Sequence, residues 1–184
     1  MKQRYFNDVK AGDRFKSATY LVSEDAIVAF AREFDPQRLH VDVTAAKGMR
    51  FKGLIASGWQ TAAITMRLFV QTLAFAKGAI GLGVDKLRWP NPVRPGDALT
   101  VETKILKVRP SRSKQNYGLI RLRNVTTNQY GETVQTMLAT IMVSRRRLRH
   151  KATRPKATRE RTADYRPQTT RQQGRNHHER LCED

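Results

Sequence analysis

A chain of 184 residues with 39% hydrophobic content is long enough for one ordinary domain with a real core, plus an extension. Its 35 Lys and Arg against 16 Asp and Glu give a formal net charge of +19, which brings polyanion binding into consideration. The single cysteine excludes an internal disulfide framework, and the opening Met-Lys-Gln-Arg-Tyr-Phe has no apolar run resembling a secretory signal or membrane span, so a soluble, cytoplasmic protein without membrane contact is the expectation.

In chain order, Arg14 to Val22 reads as a strand. Ser23 to Phe34 reads as a helix, because Ile27, Phe30, Ala31 and Phe34 recur at helical spacing behind Ser23 as N-cap, and Glu24 and Asp25 favour the dipole in the first turn. Pro36 ends it, since the residue before a proline is pushed out of helical geometry. An irregular segment follows. From Gly58 to Ala76 the chain is at its most apolar, long enough for about five helical turns. With only Gln60, Arg67 and Gln71 strongly polar, this helix is expected to be buried on most faces, and Lys77-Gly78 marks its stop. Four strands come next. Gly83 to Trp89 is closed by a proline-rich turn, Leu99 to Ile105 alternates apolar with polar residues, Asn116 to Thr126 is strand-like, and Val134 to Met142 alternates again after a hairpin at Asn128 to Glu132 carrying Gly131. The order implies an α+β fold in which an antiparallel sheet wraps around one long central helix.

Beyond Ser144 the texture breaks. Residues 145–184 contain no Ile, Val, Phe, Met or Trp, but 13 Lys or Arg against 5 Asp or Glu. Such a segment buries too little to offset its ordering entropy, so residues 1–144 are expected to form the domain and 145–184 a disordered basic tail, capable of non-specific nucleic-acid contact. No zinc-finger spacing, RNP-like aromatic pattern or KH loop accompanies it. The run Arg145-Arg146-Arg147 marks the expected end of packing.

Two features of the irregular segment carry chemistry. In "FDPQRLHVD", Asp35 precedes His40 by five residues, and a carboxylate and an imidazole brought together can share a water molecule, moving a proton off and on. Alone, the spacing also describes a solvated turn. In "GLIASGW", Ser57-Gly58 stands where the long helix begins and would present free backbone amides, which stabilise negative charge on a carbonyl oxygen. Gly58 equally suits tight helix packing.

Together these blocks resemble the MaoC-like family, which includes the (R)-specific enoyl-CoA hydratases. "FNDVKAGDRFKS", "FDPQRLHVD", "GLIASGW" and "GVDKLRWPNPVRPGD" occur in the family's order across the first 144 residues. The resemblance implies a hotdog fold paired into homodimers or higher homo-oligomers, no cofactor, and an acyl thioester, such as an acyl-CoA, lying beside the central helix. It also implies hydration of a 2-enoyl thioester, or dehydration of a 3-hydroxyacyl thioester, with Asp35 and His40 catalytic and Gly58 with Ser57 at the thioester oxygen. Where the family carries Asn and Pro between Asp and His, this chain has Gln37 and Arg38; Ser57 replaces a frequent His, and Met66 a serine found in some members. Hence two alternatives within the fold: a non-catalytic acyl-CoA-binding subunit and a thioesterase.

The remaining conspicuous residues read more plainly. Trp59 and Trp89 suit core or dimer contacts, while Arg67, Lys86, Arg88 and Arg94 suit a solvated face or coenzyme A phosphates. His177 and His178 lack further ligands nearby, so no metal is expected.

Overall fold

The computed structural model describes residues 3–146. The alternating segments form one antiparallel sheet from β1 (Arg14–Lys16), β3 (Ala79–Arg88), β4 (Ala98–Pro110), β5 (Tyr117–Thr127) and β6 (Thr133–Ser144), in the order β1-β4-β5-β6-β3, with β2 (Tyr20–Leu21) also pairing with β4. Period-two alternation decides its faces: Ile120, Leu122 and Asn124 are buried while Arg121 and Arg123 between them are exposed. Gly131, at φ 80°, closes the expected hairpin, its amide bonding the Asn128 carbonyl.

Several boundaries differ from the sequence reading. The first strand is two short ones, because Ser17 turns its amide to the Val101 carbonyl and its hydroxyl to the Ala18 carbonyl. Strand β4 runs on to Pro110, since a bulge between Ile105 and Lys107 inserts Leu106 and resets the alternation. Strand β3 begins at Ala79, in spite of Gly81 and Gly83, by pairing along β6.

Helix α1 (Glu24–Phe34) starts as expected, the Ser23 hydroxyl accepting from the Ala26 amide, and buries Ile27 and Ala31. The segment expected to be irregular contains two single-turn helices, α2 (Arg38–Val41) and α3 (Val43–Lys47), the second capped by Asp42 accepting from the Ala45 amide at 2.8 Å. Helix α4 (Gly58–Leu73) ends three residues before Ala76, because Ala74 turns left-handed at φ 44° and the backbone of Arg4 bonds Ala74 and Ala76. Its inner face packs Ile64 and Leu68 into one cluster with Val22, Ile27, Leu99 and Val101. Phe69 and Leu73 join a second cluster with Ile105, Ile120, Leu122 and Ile141. Each such side chain contributes about 1.5–3 kcal/mol by leaving water.

Burial on most faces of α4 is not what the structure shows. Trp59, Met66 and Val70 are 63%, 52% and 53% exposed, because the sheet covers only the opposite face of the helix. Packing also continues past Ser144. The Arg145 amide bonds the Asn116 carbonyl, and Arg146 pairs with Asp8 at 2.7 Å while standing over the Tyr5 ring. The rest of the expected tail disorder, with Cys182, His177 and His178, lies outside the described residues. Among the described residues no helix is long and apolar enough to cross a membrane.

Candidate active site

Asp35 and His40 are delivered to one place by consecutive elements. Asp35 is the C-cap of α1, its amide bonded to the Ala31 carbonyl, and Pro36 then turns the chain into α2, which carries His40 on its buried side. His40 Nε2 stands 3.5 Å from Asp35 Oδ2. His40 is 6% exposed. Its Nδ1 lies 2.8 Å from the Ile55 carbonyl oxygen. A carbonyl only accepts, so Nδ1 carries the proton and the lone pair of the neutral imidazole sits on Nε2, facing Asp35.

Both carboxylate oxygens of Asp35 are tied. Gln37 Nε2 donates to Oδ1 at 2.7 Å, and Ser57 Oγ donates to Oδ2 at 2.7 Å. These hydrogen bonds, that from Gln37 first and that from Ser57 next, hold the Asp35 carboxyl below its ordinary range; partial burial opposes them, and the charge of His40 adds to them only when its ring is protonated. The pair therefore presents two acceptors, carboxylate Oδ2 and imidazole Nε2, at a separation that one water molecule can bridge by donating to each.

Ser57 is engaged on two sides within the protein. It is fully buried, its hydroxyl donating to Asp35 and accepting the Trp59 amide as the N-cap of α4. One side chain thus fixes both the carboxylate and the helix end. Gly58 follows as the first residue of α4, and its amide has no acceptor among the described residues. Glycine is required here for space as well: a Cβ would stand 2.8 Å from two atoms of the Trp89 indole.

His40 and Gly58 line a common cleft of about 470 Å³, with Gln37, Arg50, Phe51, Thr61 and Trp89 among its walls. Asp35 is not itself among the cleft's lining residues but contacts two that are, His40 at 3.5 Å and Gln37 at 2.7 Å. Trp59 and Trp89 are not core residues: they are 63% and 40% exposed and meet edge to face at 5.6 Å, with the Trp89 indole N–H donating to buried Gln135. None of Arg67, Lys86, Arg88 and Arg94 lines the cleft. Arg67 stacks on Tyr20, and Arg94 donates to the Phe51 carbonyl, bracing the loop that carries Arg50. Arg50 and the clamp by Gln37 were missed from sequence. Gln37 could have been found, two residues beyond Asp35; nothing local marks Arg50. Among the described residues no group of three or more His, Cys, Asp or Glu side chains is placed to hold a metal ion.

The antiparallel sheet with a helix packed on it is a hotdog fold, shared with solved hydratases and dehydratases. The family described as "MaoC like domain" matches residues 7–129, and the chain belongs to it. The solved structure of a MaoC-like dehydratase from Rhodospirillum rubrum is 50% identical, with a TM-score of 0.74 over 79% of this chain and 99% of that one. R-hydratase PhaJ1 from Pseudomonas aeruginosa, unliganded, is 28% identical, with a TM-score of 0.66 over 77% of this chain and 86% of that one. The uncharacterized protein YdeM of Bacillus subtilis (strain 168) is 37% identical over 119 residues, 64% of this chain and 83% of that protein.

Proposed function

We propose that this chain is a hydro-lyase that adds water to 2-enoyl thioesters, or removes it from 3-hydroxyacyl thioesters, with acyl-CoA as the substrate form. The observation that carries the reading is the 3.5 Å approach of His40 Nε2 to Asp35 Oδ2 beside the open first turn of α4. A water held between the two loses a proton to Nε2 as its oxygen bonds to C3 of the enoyl group. Nε2 then delivers that proton to C2, so no other proton source is needed. Asp35 orients the water, because the bonds from Gln37 and Ser57 weaken its own basicity. The Gly58 amide, at the positive end of α4, meets the negative charge that develops on the thioester oxygen. Arg50, at the cleft wall, suits a phosphate of coenzyme A.

The catalytic unit is residues 1–144, acting as a cytoplasmic homodimer. Strand β3 is a sheet edge whose Ile80, Leu82 and Val84 are 51%, 52% and 51% exposed. Met66 and Val70 of α4 share with it a largely apolar hollow of about 470 Å³. An apolar edge strand left open invites uncontrolled pairing, and a second copy laid along β3 removes that exposure. A panel of 2-enoyl-CoA thioesters, beginning with crotonyl-CoA, tests the activity: loss of the conjugated double bond supports it. Release of free thiol without hydration identifies a thioesterase, and binding without turnover a non-catalytic subunit.

A further inference from the structure

The face of the sheet turned away from α4 carries a ladder of like charge. Arg14, Lys104 and Arg123 are direct cross-strand neighbours on β1, β4 and β5, and Lys107 is opposite Arg121 in the next row. Directly opposed side chains stand about 4.5–5.5 Å apart at Cβ, and like charges at that distance destabilise a sheet. Carboxylates relieve little of it. Glu102 is engaged by Arg14 and Asp85 by Arg121, while Lys86, Lys104, Lys107, Arg109 and Arg123 form no ion pair among the described residues. Lys107, Arg109 and Arg121 border one shallow hollow of about 250 Å³ with Leu119 and Thr140, and Lys86 and Arg123 border another.

We propose that this face is a binding surface for the phosphate backbone of duplex nucleic acid, a role separate from the cleft beside α4. A row of cations, most of them without an ion pair among the described residues, along strands of 13 and 11 residues matches a long, evenly charged polyanion. The outward positions of β4 and β5 include one aromatic, Tyr117 at the strand end, so there is no stacking platform for unpaired bases. The only exposed large apolar side chain on those two strands is Leu106, at 38%, which leaves little to anchor a protein partner. In sequence, the 40 residues that follow Ser144 hold 13 Lys or Arg. The contact reads charge and not sequence.

The test is fluorescence anisotropy of the full chain with a labelled mixed-sequence DNA duplex across a salt series, alongside enoyl-CoA turnover. The expected result is salt-sensitive binding that the double substitution Lys104→Gln, Arg123→Gln weakens about tenfold or more, lowering the slope of log K against log salt by about 2, with turnover unchanged and Tm equal or higher because like-charge repulsion in the sheet is relieved. Unaltered affinity and slope in that variant overturn the proposal, because the tail alone then suffices. Equal binding of poly-glutamate or of anionic vesicles, matched in charge, also overturns it in favour of an acidic protein or a lipid surface. The readout is independent of turnover, so an inactive chain can still bind and an active one can fail to.

Discussion

Ser57→Ala separates the two jobs that one hydroxyl performs. It deletes the donor to Asp35 Oδ2 at 2.7 Å and the acceptor that caps α4 at the Trp59 amide, in a residue with no solvent exposure to offer a replacement. A hydrogen bond to a charged group is worth about 1.5–3 kcal/mol, and an N-cap about 1 kcal/mol. Together they predict a loss of about 3 kcal/mol, or roughly 6–12 °C in Tm for a chain of this size. The functional signature is more specific. Without the Ser57 bond the Asp35 carboxyl rises toward its ordinary value of 3.8 and holds the water it orients less firmly, so kcat falls. Ser57→Thr keeps the hydroxyl and is expected to keep both kcat and Tm. Differential scanning fluorimetry and initial rates at neutral pH provide the readout. A Ser57→Ala protein with unchanged Tm and unchanged kcat refutes the clamp.

Gly118→Ala places a methyl group into the ring of Phe6, which lies over β5, and is expected to cost about 1–3 kcal/mol by urea titration. Leu82→Glu, on the apolar edge of β3, is expected to convert a dimer to monomer by light scattering, with the far-ultraviolet spectrum retained. The Asp35 and Asp42 carboxyls are both held below their ordinary value of 3.8, Asp42 chiefly by the Ala45 amide. Their contribution to stability is therefore full above that value and lost as pH falls through the lower folded values. The urea midpoint should drop on acidification below about pH 4, and less steeply in Ser57→Ala.

The residues that could be read from sequence were those whose surroundings are local. Ser23 announces α1 because a cap acts within three residues, and alternation announces β5 because a strand shows its faces in its own sequence. Asp35 and His40 were legible as a pair through the order of the four family-like blocks, because the five-residue spacing alone also describes a solvated turn. Features set by distant partners were not legible. The apolar run of α4 looked buried all round, yet only the sheet-facing side chains are covered, and that depends on how wide the sheet is. The end of α4 is fixed by Arg4, some seventy residues away, and Gly58 is held to glycine by Trp89. The bulge at Leu106 broke the very alternation that had marked β4. Arg145 and Arg146 resembled the tail in composition but are held by Asn116 and Asp8.

The central claim is that His40 and Asp35 together move the elements of water on and off an acyl thioester. Initial rates of 2-enoyl-CoA hydration by wild-type protein, His40→Ala and Asp35→Asn measure it directly. The account predicts turnover by the wild type and a fall of at least about 100-fold in each variant, with substrate still bound and the fold intact. Full activity in either variant, or no hydration by a folded wild-type protein across the thioester panel, contradicts it.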